Sequence, residues 1–245
     1  MSEIRFRSDI SVTLADHCGS DSAVARGAWV VPPHAPEKRD TAEGVARVVG
    51  ACVKGRHNTP FERGLLEVYA EMPGVVWWQL TRHRFMSLGS EDFAFNMESS
   101  RYRHLDPEFY VPPLDRPLVE GDGFKPMRPR LESALEVAEA VRENMSTAFR
   151  AAWGLYSNLV VHKVAREVAR LVLPNWAIYC DGYVSAKPLT WLQFFSKRAK
   201  TGDTAVPTFP QYEIEKFCEA CEKLFSALWP GVYAAFVANG RVAPS

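Results

Sequence analysis

The sequence predicts an α+β fold in one domain spanning residues 1–245, a mostly antiparallel sheet combined with long helices. Three observations predict it. Short strand-like stretches alternate irregularly with helical ones, without the regular βαβ order of a parallel sheet. A long apolar stripe, Leu135, Ala138, Val141, Met145, Phe149, Ala152, Tyr156 and Leu159, recurs at spacings of three and four over about seven helical turns. A chain of 245 residues with 47% hydrophobic side chains can bury a single core.

The elements follow in order. The first forty residues read as short strands and loops, broken by the Pro-rich run VPPHAP at 31–36. Residues 40–53 read as a helix behind an Asp40/Thr41 cap, with Val45, Val48, Val49 and Cys52 at helical spacing. GRHNTP at 55–60 is a loop by composition, and Leu65 to Met72 reads as a strand ended by Pro73-Gly74. Val75 to Leu80 suits a buried helix that delivers Arg82-His83-Arg84 at or just past its end. Six prolines between Asp106 and Pro129 mark a long connection. Past the long stripe come a helix from Val164 to Leu173 stopped by Pro174 and a strand at 176–186. A helix opened by Pro188 then runs to Arg198, and a last one from about Gln211 to Trp229. Met72, Trp77, Trp78 and Phe95 read as core or interface residues.

Charge and cysteine content exclude whole classes. Basic and acidic side chains balance at 29 each, which argues against a general nucleic-acid surface. No apolar run approaches the ~20 residues of a membrane span, and the polar start lacks a signal-peptide core. Five scattered cysteines make no disulfide framework, so the expected location is the cytoplasm. Cys218-Glu219-Ala220-Cys221 could be read as a metal or redox pair. However, both sulfurs fall on the stripe of Ile214, Phe217, Leu224, Phe225 and Leu228, and no second ligand pair accompanies them. Core packing is the better reading, and no metal is expected. Neither a GxGxxG turn nor a Walker loop is present, so side chains must hold any phosphate.

Two cationic clusters are the candidates for that work. Arg82-His83-Arg84 is the first, and Asn96, Ser99, Ser100, Arg101, Tyr102, Arg103 and His104 form the second. The two strings, Arg82-His83-Arg84 and Asn96-Met-Glu-Ser99-Ser-Arg101-Tyr102, together resemble the signature of flavin-dependent thymidylate synthases. His57-Asn-Thr59-Pro60-Phe61-Glu62 is similar to the family's H-x-[ST]-P-F-E segment, and Gln79 to the glutamine that leads into RHR. Arg166-Glu-Val-Ala-Arg170-Leu-Val-Leu-Pro174, Gln193-Phe-Phe-Ser-Lys-Arg198 and Pro210-Gln211-Tyr-Glu213-Ile214 resemble three later segments. The order and approximate spacing hold from about residue 20 to 230. There are three departures. Residues 85–98 make the gap between Arg84 and Ser99 twice the family's, Met97 stands where a glutamate is usual, and Lys187-Pro188-Leu189 replaces an N-x-R.

The resemblance implies FAD-dependent methylation of dUMP at C5 to dTMP, with methylenetetrahydrofolate as carbon donor and NADPH as reductant. It implies a cytoplasmic homotetramer with active sites where subunits meet, and no nucleic-acid or membrane partner. Gln79, Arg82, Ser99, Arg101, Arg170 and Arg198 are implied to hold the nucleoside monophosphate. His57, Thr59, Arg82, His83, Arg84, Asn96 and Gln193 are implied around FAD and folate. The catalytic assignments are Arg198, stabilising negative charge on the uracil ring, and Ser99, which positions rather than attacks. Blander readings stand beside these: Arg170 pairing with Glu167, Arg198 merely finishing a helix, His57 as a loop residue. None of the five cysteines has the setting of the thiolate used by flavin-independent enzymes. The same chemistry on UMP is the alternative, prompted by the lengthened segment, and a non-catalytic nucleotide-binding scaffold is the third reading.

Overall fold

Two strands open the chain, β1 (Arg5–Arg7) and β2 (Ser11–Cys18). The computed structural model describes residues 3–30, 41–83, 93–98, 106–119, 135–199 and 204–245. Helix α1 (Asp21–Ala28) follows, where strands and loops were expected. Ser20 caps it by accepting from the Ala23 N–H, and only Val24 and Ala25 are buried. Helix α2 (Ala42–Lys54) is capped by Thr41, whose hydroxyl accepts from the Gly44 N–H, and buries Val45, Val49 and Cys52 as predicted. A 3-10 turn at Thr59–Glu62 then leads into β3 (Leu65–Pro73) and α3 (Gly74–Leu80).

The remaining elements are β4 (Ala94–Met97), β5 (Glu108–Tyr110), α4 (Leu135–Val161), α5 (Arg166–Ala169), β6 (Tyr179–Ala186), α6 (Pro188–Arg198), α7 (Tyr212–Leu228) and α8 (Pro230–Ala238). The predicted helix over 164–173 is only α5 followed by a 3-10 turn at Arg170–Val172. Its first residue is preceded by Ala165, which has no side chain to cap it, and Pro174 bars continuation. The last predicted helix is α7, within a residue of its expected bounds, and α8 is a further helix beyond it. The two part at Trp229 (φ −127°, ψ 65°) because the residue before Pro230 is pushed out of the α region. The strand expected from 176 starts at Tyr179.

The main sheet is antiparallel with order β2-β3-β6-β4, and β1 pairs in parallel with β5, Phe6 opposite Phe109. Contacts gather into two compact units. The first comprises Met1–Ile10, Glu71–Trp78 and Met97–Asp181. Its core is Phe109, Tyr156, Ala169, Leu173 and Ile178, with Phe149 stacked on Phe109 at 5.4 Å. Gly74 lies here against Asn175. A Cβ at that position would fall far inside van der Waals contact distance of the Asn175 carbonyl oxygen. Gly74→Ala is therefore expected to lose about 1–3 kcal/mol in denaturant unfolding, because backbone rather than a flexible side chain must yield.

The second unit comprises Ser11–Ala70, Gln79–Asn96 and Gly182–Ser245. Its core is aromatic. Trp191, Phe194, Phe195, Phe217, Phe225 and Trp229 are all at most 1% exposed. Cys218 and Cys221 are fully buried among them, as the stripe predicted. The Asp21 carboxylate accepts from the Gly231 and Val232 N–H groups (2.7 and 2.9 Å), capping α8 from α1. Met72 and Trp77 are core residues as expected, whereas Trp78 is 54% exposed, edge-on to the exposed Trp176 at 5.5 Å.

Candidate active site

Helix α6, which carries the candidate residues Gln193 and Arg198, is deeply buried along most of its length. Pro188 presets the first turn, and Leu189, Trp191, Leu192, Phe194 and Phe195 are all buried. Its last turn holds Lys197 and Arg198, cations placed where the helix carbonyls carry partial negative charge. Arg198 does more than finish the helix. Its Nε donates to His83 Nε2 at 2.9 Å.

His83 reaches that position through a tight turn after α3, in which the Arg82 N–H donates to the Gln79 carbonyl and the His83 N–H to that of Leu80. Its ring is 5% exposed and stands edge-on to Phe194, 5.0 Å between centroids. Burial, then the charges of Arg198 and Lys197, push its pKa down to about 3. Burial likewise lowers the pKa of Arg198. Because Nε2 accepts from Arg198, the imidazole is neutral and its proton sits on Nδ1.

A pH prediction follows from the sign of that shift. The unfolded chain binds a proton at His83 near 6.5, whereas the folded chain resists until about 3. Its contribution to stability is thus complete above 6.5 and is lost as pH falls through that window. Urea midpoints measured between pH 6.5 and 4 should fall more steeply for the native protein than for His83→Gln. The difference in slope should approach 1.4 kcal/mol per pH unit, about the limit for one proton.

The other predicted residues are placed as follows. Gln79 Nε2 donates to Gln211 Oε1 at 2.6 Å, and Gln211 Nε2 donates to Glu213 Oε2 at 2.7 Å. Arg82, His57, Thr59 and Asn96 are exposed. His57 lies beside Gly55, where a Cβ would press on its imidazole at 3.0 Å. Thr59 opens the 3-10 turn that packs against α6. Gln193 is half-buried. Its Nε2 approaches the Pro244 carbonyl at 3.5 Å, and its Oε1 is buried without a hydrogen-bond partner among the described residues. Arg170 belongs to the first unit, and the other predicted residues just placed all belong to the second. Arg84, Ser99 and Arg101 lie outside the described residues, as does most of the lengthened segment.

The sequence reading passed over Gln211, Glu213 and Phe194 as site residues. The Gln-x-Glu spacing at the start of α7 was the available signal for the first two. It also passed over a cavity of about 720 Å³ in the first unit, where Glu71, Glu98, Asp106, Glu108 and Asp181 outnumber Arg5 and Arg7. That excess of carboxylates has the wrong sign for a phosphate.

A family model for thymidylate synthase complementing proteins matches residues 13–231. The chain belongs to the flavin-dependent thymidylate synthase family. The flavin-dependent thymidylate synthase of Streptomyces coelicolor is 34% identical over 245 residues, covering 99% of this chain and 96% of the relative. That of Tropheryma whipplei is 33% identical over 98% of this chain and 97% of the relative. Among solved structures, a UMP/dUMP methylase, PolB from Streptomyces cacaoi, bound with 5-Br UMP superposes with a TM-score of 0.87. It is 32% identical, with 98% of this chain and 99% of that one covered, and the same methylase bound with 5-Br dUMP superposes equally well. This family member is a methyltransferase enzyme, which sets aside the non-catalytic scaffold.

The residues present fit a flavin. The buried, unpartnered Gln193 Oε1 offers an acceptor suited to an imide N–H, and the exposed Arg82 and His57 offer polar groups at the surface. The thiols fit a route without a cysteine nucleophile. Cys180 is pushed up to about 12 by burial and by Glu98 and Asp181, and burial also raises Cys52, Cys218 and Cys221. No helix among the described residues is long and apolar enough to cross a membrane.

Proposed function

We propose that this enzyme converts dUMP to dTMP by C5 methylation, with FAD bound, methylenetetrahydrofolate as carbon donor and NADPH as reductant. The observation that carries the reading is the hydrogen bond from half-buried Arg198 to buried His83 at the end of α6. Neutral His83 occupies the Arg198 Nε donor, leaving the terminal guanidinium N–H groups for a ligand. Those donors suit a uracil carbonyl, where they stabilise negative charge that develops on the ring during reduction. Bound flavin supplies the hydride chemistry. His57, Thr59, Arg82, His83, Arg84, Asn96 and Gln193 would hold it together with the folate. Gln79, Arg82, Ser99, Arg101, Arg170 and Arg198 would hold the nucleotide, the arginines taking the phosphate through charge-assisted hydrogen bonds.

The assembly and setting belong to the same reading. A cytoplasmic homotetramer of single-domain subunits is supported by the exposed apolar side chains of Leu155, Val161, Val168 and Leu171, and by a family model that runs through both compact units. Purified protein should be yellow and should form dTMP from dUMP, methylenetetrahydrofolate and NADPH, followed by chromatography. A colourless protein that cannot be loaded with FAD overturns the proposal.

UMP is the second reading, favoured by the PolB structures bound with 5-Br UMP and 5-Br dUMP. Turnover of dUMP and UMP side by side separates the two, since they differ only at the ribose 2′ position.

A further inference from the structure

We propose that Gln211 and Glu213 are positioning residues that decide which way round the Gln79 amide faces the nucleotide. The inference rests on the reading of Gln79 as a nucleotide contact. The oxygen and nitrogen ends of a glutamine amide have almost the same shape, so an isolated side chain has two orientations that differ only in their hydrogen bonding. Gln79 is not isolated. It heads a three-member chain of hydrogen bonds, 2.6 Å to Gln211 and 2.7 Å from Gln211 to Glu213.

The far end of that chain sets its direction. Glu213 is 2% exposed in the first turn of α7, where the helix N-terminus favours negative charge. A carboxylate only accepts, so Gln211 must turn its amino group toward Glu213 and its oxygen toward Gln79. Gln79 must then turn its own amino group toward Gln211. What remains for a ligand is the Gln79 oxygen and one N–H, an acceptor and a donor in a set order. The flipped arrangement would bring two amide oxygens face to face, a repulsive contact. This order suits a ligand that offers both a hydroxyl or imide N–H and an acceptor oxygen, as a nucleoside monophosphate does. Gln211 itself touches no reacting atom in this account. It acts through Gln79.

The test is a double-mutant cycle on the full-length, FAD-loaded enzyme, with dUMP affinity read by titration calorimetry. Gln211 is exposed, so Gln211→Ala should leave the melting temperature in place. Gln211→Ala is expected to weaken dUMP binding by about two- to fivefold, because a Gln79 amide free to flip and to change rotamer is competent for only part of the time. The rate at saturating dUMP should stay within about twofold, because loss of uniform binding raises KM and spares kcat. In a Gln79→Ala background the same Gln211→Ala change should have no further effect. Glu213→Ala should reproduce the Gln211→Ala loss, and Glu213→Gln, whose amide oxygen can still accept from Gln211, should lose less. Losses that multiply in the double variant would overturn the relay while leaving the substrate reading intact. Failure of the unmutated, FAD-loaded protein to bind dUMP overturns the substrate reading, and the relay with it.

Discussion

Arg198→Lys is expected to lower kcat by two to three orders of magnitude, on the order of 10²–10³, with the fold preserved. Arg198 is only half-buried and ends its helix, so the substitution leaves no cavity in the aromatic core. What it removes is a planar group doing two things at once. The Nε donates to His83 at 2.9 Å, and the terminal nitrogens lie on the same rigid plane with no hydrogen bond among the described residues. A lysine ammonium is a point charge on a flexible stem. It can approach His83 or a ligand carbonyl, and has no fixed geometry between them. Charge is retained, so nucleotide affinity should fall far less than turnover. Single-turnover rates with dUMP bound, together with a melting curve, check this. An Arg198→Lys enzyme within tenfold of the native rate would remove Arg198 from the chemistry.

Trp191→Ala is expected to have the largest effect on stability, about 3–5 kcal/mol. The indole is fully buried, stacked on Phe195 at 5.9 Å and edge-on to Phe93 at 4.7 Å and Phe194 at 6.1 Å. Its Nε1 also donates to the Leu66 carbonyl at 3.3 Å, so truncation removes a buried hydrogen bond besides creating a cavity. Urea unfolding should show a lower midpoint with an unchanged slope. Trp191→Phe should recover more than half of the loss, because most of the ring contacts survive. Variants that remain folded should still lose activity, since the same indole seats the helix that presents Gln193 and Arg198.

These two residues mark what the sequence made legible and what it did not. Helix α6 was predicted with its observed bounds, because Pro188 signals a first turn and the basic pair a last one. Helices α1 and α8 were missed. The first has only 8 residues and buries just two of them, Val24 and Ala25. The second, PGVYAAFVA, is apolar on every side, so it has no period to detect. The long stripe of α4 was read correctly as a helix, yet only Ala138, Ser146 and Tyr156 are buried in it. Periodicity reports an apolar face, not the partner that covers it.

The site divides in the same way. Residue types and their local strings were visible, so His83, Arg198, Gln79 and Gln193 were all named in advance. Their partners were not, because the bonds from His83 to Arg198 and from Gln79 to Gln211 join positions 115 and 132 residues apart. No local spacing rule carries information over that distance. The orientation of Gln79 is set by the start of α7, a segment remote from it in the chain.

The cap that Asp21 places on α8 has a consequence in time. It links positions 210 and 211 residues apart, and both of its hydrogen bonds need nearly the whole polypeptide. Closing so long a loop is entropically unfavourable until other contacts have shortened it. The early helix α1 must therefore wait for the last helix before its own first turn gains that charge pairing. Asp21→Ala is therefore expected to hasten unfolding while hardly slowing refolding, as stopped-flow chevron plots would show. The two extremities of the chain thereby act as a latch on the lifetime of the folded state rather than on the speed of reaching it.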